Sequence, residues 1–160
     1  MSAVIIDGKA LGRSIEDDLS ERVTALRERG VTPNLAVVIV GEDPASQVYV
    51  RNKQRACERC GILSTRIDLP STATQDDILE IVADLNADDS VHGILVQSPA
   101  PEGVDELAVA GAIDRAKDVD GFHPSNLGKL VQGVSDGLLP CTPAGVLRML
   151  EESGVALSGS

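Results

Sequence analysis

An α/β fold, a three-layer arrangement of one parallel sheet with flanking helices, is predicted by two features of this sequence. Short apolar runs rich in β-branched residues recur at similar spacing, at 34–40, 64–69 and 91–97, each the length of a buried strand. Segments with helical periodicity lie between them. Strands separated by helices join through right-handed crossovers, which makes the sheet mainly parallel and puts helices against it.

In chain order, residues 3–6 read as a short strand, and 11–29 as an amphipathic helix stopped by Gly30. The first apolar run follows at 34–40. Residues 44–60 read as a helix, with Gly61 where a C-terminal cap favours glycine. After the run at 64–69, Thr74 with Asp77 three residues on forms a capping box that opens a helix over 75–86. The run at 91–97 completes an expected β-α-β-α-β-α-β order. Beyond Gln97 the pattern changes to loops marked by Pro and Gly, with short helices expected at 106–113 and 126–131. A last helix over 143–153 is expected to take Thr142 as N-cap and Pro143 as its first residue. Residues 1–150 then form one domain, and 151–160 the start of a linker.

A chain of 160 residues, 42% hydrophobic, suffices for one domain with a real core. That core is built from Ala, Val, Leu and Ile, because Tyr49 and Phe122 are the only aromatic residues. The net charge of −11 disfavours nucleic acid and anionic membrane surfaces, which need a field of the opposite sign. A small-molecule or protein partner is favoured instead. There is no basic leader with a cleavage site and no run approaching ~18 apolar residues, so a cytoplasmic protein is expected. Cys57, Cys60 and Cys141 are odd in number and read as reduced thiols.

Ser46, Tyr49 and Lys53 stand three and four residues apart, on one stripe of the 44–60 helix. A hydroxyl, a phenol and an amine converge there, a set able to move a proton beside a desolvated pocket; a solvated surface face would carry the same spacing. Gln97 closes the third apolar run, and ligands of open parallel sheets bind beyond the carboxyl ends of strands; a water-exposed strand end is the alternative. The Ser98-Pro99-Ala100-Pro101 stretch makes a stiff wall or a rigid connection. In 117–124, Asp120 offers two oxygens to the N–C–N edge of a flat heterocycle, whereas Asp118 or Asp120 also suits an Asx-turn. His123, before Pro124, reads as structural. Cys57 and Cys60 have the spacing of a redox or zinc motif but no second pair, and no metal site is expected. The Gly-x-Gly-x-x-Gly and phosphate-loop patterns are absent.

Four segments taken together carry a family resemblance: Val-Gly-Glu-Asp-Pro-Ala-Ser-Gln-Val-Tyr-Val-Arg-Asn-Lys at 40–53, Gly-Ile-Leu-Val-Gln at 93–97, residues 117–124, and Pro-Cys-Thr-Pro at 140–143. In order and spacing the chain resembles the catalytic domain of the bifunctional methylenetetrahydrofolate dehydrogenase/cyclohydrolases. The resemblance implies one-carbon folate metabolism: NADP-dependent oxidation of 5,10-methylenetetrahydrofolate to the methenyl form, then hydrolysis to 10-formyltetrahydrofolate. It implies Lys53 as the acid/base, Tyr49 stacked on the aminobenzoate ring, Gln97 orienting Lys53, Asp120 on the pterin, Ser46 in support, and Thr142 toward the cofactor. It also implies a homodimer, and an NADP-binding Rossmann domain that these 160 residues do not contain. Ser98 and Ala100 depart from the leucines usual in the family, which loosens the apolar lining. A folate-binding or oligomerisation module without turnover is the alternative. Because Lys53 lies about three turns, ~13 Å, into its helix, a late helix start near Ser46 is expected to bring it to the cleft.

Overall fold

The runs at 34–40 and 91–97 form strands because only a sheet buries both faces of so continuous an apolar segment. The run at 64–69, expected as a buried strand, is instead a half-exposed edge strand with no buried residue, its Ser, Thr, Arg and Asp side chains being compatible with water at the sheet edge. In the computed structural model, which describes residues 5–157, β1 (Asn34–Val40), β2 (Leu63–Leu69) and β3 (Gly93–Val96) form one parallel sheet in the order β2-β1-β3. Helices α1 (Gly8–Glu28), α2 (Pro44–Cys60), α3 (Gln75–Ala87), α4 (Glu106–Ala112), α5 (Pro124–Gln132) and α6 (Cys141–Glu152) complete the described residues.

Central β1 divides the core by strand alternation. Ala36, Val38 and Val40 face Ile78 and Val82 of α3 and Val109 of α4. Val37 and Ile39 face Val50 of α2, and α1 packs against α2. The expected three layers are therefore α1 and α2, the sheet, and α3 and α4.

Several boundaries differ from expectation. Of the strand expected over 3–6, residues 3 and 4 lie outside the described residues, while Ile5 and Ile6 are exposed and belong to no strand. Helix α1 begins at Gly8 because the Asp7 carboxylate accepts from the N–H groups of Lys9 and Ala10. Strand β3 is shorter than 91–97, although the His92 N–H still donates to the Asn34 carbonyl (3.0 Å) and that of Gln97 to Val38 (2.8 Å). Helix α5 starts at Pro124, capped by His123, whose Nδ1 accepts from the Ser125 N–H. Helix α6 starts at Cys141, with Pro140 as N-cap and no side-chain cap, so Thr142 lies inside the first turn. Pro143 is tolerated there because a first turn leaves its N–H groups unpaired in any case.

One strip of chain links this frame to the site. The Lys117 ammonium donates to the carbonyls of Leu85, Asn86 and Asp88 at 3.0, 2.9 and 2.8 Å, closing the C-terminal end of α3. The Lys117 carbonyl accepts from the Ile94 N–H at 2.7 Å, so residues 117–120 run beside β3, with a single parallel bridge between Ile94 and Asp118. The approach needs Gly93: a Cβ there would lie 2.5 Å from the Val119 side chain.

Candidate active site

The site is built on the first half of α2. The helix starts at Pro44, not late, with Asp43 as N-cap accepting from the Ser46 N–H at 2.8 Å. Lys53 nevertheless reaches the sheet end. Side chains of a helix tilt toward its N-terminus, which here is the end nearest the carboxyl ends of β1 and β3, and the long lysine stem covers the remaining distance. Its Nζ donates to Gln97 Oε1 at 3.3 Å. The Gln97 Nε2 donates to the Ser98 carbonyl at 2.8 Å, which commits the amide's donor end to the backbone and leaves its oxygen for Lys53. The buried Ser46 hydroxyl donates to the same carbonyl at 3.4 Å. The Ser98–Pro99 peptide bond is cis.

These groups border a cleft of about 870 Å³ along the α2 side of β3, whose lining includes Ser46, Tyr49, Lys53, Gln97, Asp120 and Thr142. Every candidate site residue of the sequence is thus brought to one cavity. Its floor includes Gly93 and Leu95. Tyr49 stands on its wall at 64% exposure, a ring available for stacking. A second cavity of about 400 Å³, lined mainly by apolar side chains, shares Gln97, Ser98 and Asp120 with it.

The two aspartates of 117–124 have separate jobs. Asp118, only 2% exposed, accepts from the N–H groups of Gly121 (3.0 Å), Phe122 (3.3 Å) and His123 (2.8 Å), and from Asn126 Nδ2 (2.8 Å). It is the residue that builds the turn. Asp120, half-buried in the cleft wall, has no hydrogen-bond partner among the described residues. Burial pushes its carboxyl above the usual carboxylate range; the Lys53 charge pulls it down and Asp118 adds to the rise.

Gly121 holds the far rim. Its φ is +72°, and a Cβ would lie 2.5 Å from the Leu139 carbonyl carbon and 2.7 Å from the Pro140 nitrogen. That close crossing brings Cys141 and Thr142 to the cleft, where the Cys141 thiol donates to the Val119 carbonyl at 3.4 Å. Burial pushes this thiol up, with Asp120 adding to it. The sequence marks Cys141 only as a reduced thiol and not as a cleft residue, because nothing local shows residues 139–141 to be neighbours of Gly121.

The thiols of Cys57 and Cys60 are free and buried, and desolvation raises both above the ordinary thiol value, which makes them poor nucleophiles. Among the described residues no group of three or more His, Cys, Asp or Glu is placed to hold a metal ion, and no helix is long and apolar enough to cross a membrane. Nor do the residues fit a dinucleotide pyrophosphate. The helices that follow the strands carry carboxylates at their N-termini, Asp43 at α2, Asp76 and Asp77 at α3, Asp105 at α4, and these occupy the ends a phosphate would use.

Fold and cleft define an α/β domain with an open cavity against a parallel sheet, holding a lysine–amide pair and a carboxylate without a partner among the described residues. The chain matches the tetrahydrofolate dehydrogenase/cyclohydrolase catalytic domain over residues 6–120, and it belongs to that family. It is 53% identical over 159 residues to the bifunctional protein FolD of Halalkalibacterium halodurans, covering 99% of this chain and 57% of the relative. With the protein of that name from Azoarcus sp. it shares 54% over 160 residues, 100% of this chain and 55% of the relative. The crystal structure of the bifunctional methylenetetrahydrofolate dehydrogenase/cyclohydrolase of Campylobacter jejuni superposes with a TM-score of 0.97 at 45% identity, over 99% of this chain and 56% of that one. That of Trypanosoma brucei, complexed with NADP cofactor and inhibitor, gives 0.94 at 36%, over 99% and 55%. The chain spans about half the length of the curated relatives it matches.

Proposed function

We propose that this chain is the folate-binding catalytic domain of a bifunctional methylenetetrahydrofolate dehydrogenase/cyclohydrolase, acting in cytoplasmic one-carbon metabolism that serves purine synthesis. The observation that carries the reading is the Lys53–Gln97 contact of 3.3 Å inside a cleft that also holds Tyr49 and Asp120. Asp120 takes the N–C–N edge of the pterin, Tyr49 stacks on the aminobenzoate ring, and Ser46 supports the wall. Lys53 manages the proton of the hydrolytic step. Water adds to the methenyl carbon and gives up one proton, leaving a hydroxyl on that carbon; the hydroxyl then loses its proton as the bond from the carbon to N5 breaks, N5 takes a proton, and the carbon stays on N10 as a formyl group. Gln97 keeps the lysine aimed at the reacting carbon.

The oxidation requires NADP, which supplies the hydride acceptor. These residues do not fit its pyrophosphate, so the cofactor belongs to the part of the relatives that this chain does not match; the T. brucei relative is described with NADP. Thr142, on the cleft rim, is the position from which this chain meets it. Residues 1–150 form the domain and 151–160 begin the connection, and the whole protein works as a homodimer.

The test is hydrolysis of methenyltetrahydrofolate by the 160-residue chain, followed by loss of absorbance beside its Lys53→Ala variant. Turnover above buffer is expected, falling by about 10²-fold or more in the variant. With NADP and methylenetetrahydrofolate no oxidation is expected; NADPH formation would overturn the placement of the cofactor. A folded chain that binds folate but matches the buffer rate would make this a binding module without turnover.

A further inference from the structure

We infer that Glu106 is a positioning residue for the Lys53–Gln97 pair, acting through the turn that follows β3. The inference rests on the reading of Lys53 as the acid/base. Glu106 is the first residue of α4, where a carboxylate ordinarily complements the helix dipole. Here it reaches back instead. Its Oε2 accepts from the Ser98 hydroxyl at 3.0 Å and its Oε1 from the Ala100 N–H at 2.7 Å, so one carboxylate clamps both ends of the Ser98-Pro99-Ala100 turn. A clamp of two charge-assisted bonds fixes both place and orientation.

What the clamp holds is the Ser98 carbonyl, the only acceptor of the Gln97 Nε2 among the described residues (2.8 Å) and the acceptor of the Ser46 hydroxyl (3.4 Å). Gln97 Oε1 in turn accepts from Lys53 Nζ at 3.3 Å. Glu106 therefore connects to the ammonium by hydrogen bonds to the turn, the covalent frame of Ser98, and the hydrogen bonds of the Gln97 amide. Glu106 makes no hydrogen bond to Lys53 or Gln97, and α4 is itself fixed at this end, since Asp105 accepts from the N–H groups of Leu107 and Ala108 while its own N–H donates to Gln75. Without the carboxylate, the turn loses its two outer anchors and the Gln97 amide is free to rotate away from Lys53.

The test compares wild-type chain with Glu106→Ala, Glu106→Gln and Ser98→Ala, reading exchange of the Gln97 side-chain NH2 by NMR alongside methenyltetrahydrofolate hydrolysis. In Glu106→Ala the Gln97 amide protons should exchange about tenfold faster, and kcat should fall about tenfold with KM within about twofold, because a misplaced acid/base costs the chemical step. Glu106→Gln, which can still accept from Ala100, should recover most of both losses; Ser98→Ala, which removes only the hydroxyl arm, should fall between. Unchanged Gln97 exchange in a folded Glu106→Ala or Ser98→Ala chain would overturn the positioning role. If the wild-type chain shows no turnover while Gln97 exchange responds as expected, the catalytic reading fails and the positioning of the pair stands. Should Glu106→Ala not fold, unaltered Gln97 exchange and kcat in folded Ser98→Ala would refute the clamp.

Discussion

Asp118 and Asp120 are the same residue type two positions apart, and in an isolated Asp-Val-Asp either suits a turn or a ligand. The difference is their surroundings. Asp118 spends its oxygens on three backbone N–H groups and Asn126; Asp120 faces the cleft with none. Burial raises the Asp120 carboxyl, so the folded chain binds this proton more tightly than the unfolded chain does. The associated stability is complete below the ordinary aspartate value and is lost as pH rises through the raised folded value. At neutral pH the charged side chain is therefore a cost to the fold. Asp120→Asn should raise the melting temperature at pH 7, and the gain should shrink as pH falls toward the ordinary carboxylate range. A gain of equal size at pH 7 and pH 3.5 would remove the linkage argument.

At the level of elements, what could be read from the chain was whatever local chemistry decides. Strands β1 and β3 were legible because their apolar runs leave no other way to bury them, and the helix caps at Thr74 and Gly61 because a capping box and a left-handed glycine are local devices. Helix α6 was misplaced by two residues because Thr142-Pro143 imitates a cap, whereas the turn actually closes from the Ala144 N–H to the Pro140 carbonyl at 3.1 Å. The position of Pro140 is a long-range fact, set where residues 139–140 cross Gly121. Gly121→Ala puts a Cβ against that backbone in a conformation that L residues resist. It should cost about 2 kcal/mol or more and lower the melting temperature by about 4–8 °C, as read by calorimetry. A drop below ~1 °C would mean that the 139–140 crossing yields freely and does not hold the cleft rim.

For the molecule as a whole, the cleft is a consequence of how few strands the sheet has. With β1 covered on both faces and β3 at an edge, the α2 side of β3 is left as a floor, and Lys53 is aimed across it by the direction helical side chains take. The stripe of Ser46, Tyr49 and Lys53 was legible from spacing, but its meeting with Gln97, 44 positions away, required the crossover to fold back. The Glu106 clamp gave no signal, since a glutamate opening a helix looks like dipole complementation alone. Burial is also uneven: Ala36, Val37 and Val38 of β1 are wholly buried, whereas no residue of α6 is buried and its Val146 and Leu147 stay about half exposed. Local opening follows that gradient, because an element with little apolar surface to expose unfolds without the rest. Hydrogen exchange followed by mass spectrometry should find the amides of β1 protected up to global unfolding and those of α6 exchanging at least ~100-fold faster, about 3 kcal/mol below the global value. Exchange of α6 together with β1, at one rate in rising denaturant, would mean instead that α6 is held by the core as firmly as the sheet, and that the cleft rim carrying Cys141 and Thr142 is as rigid as its floor.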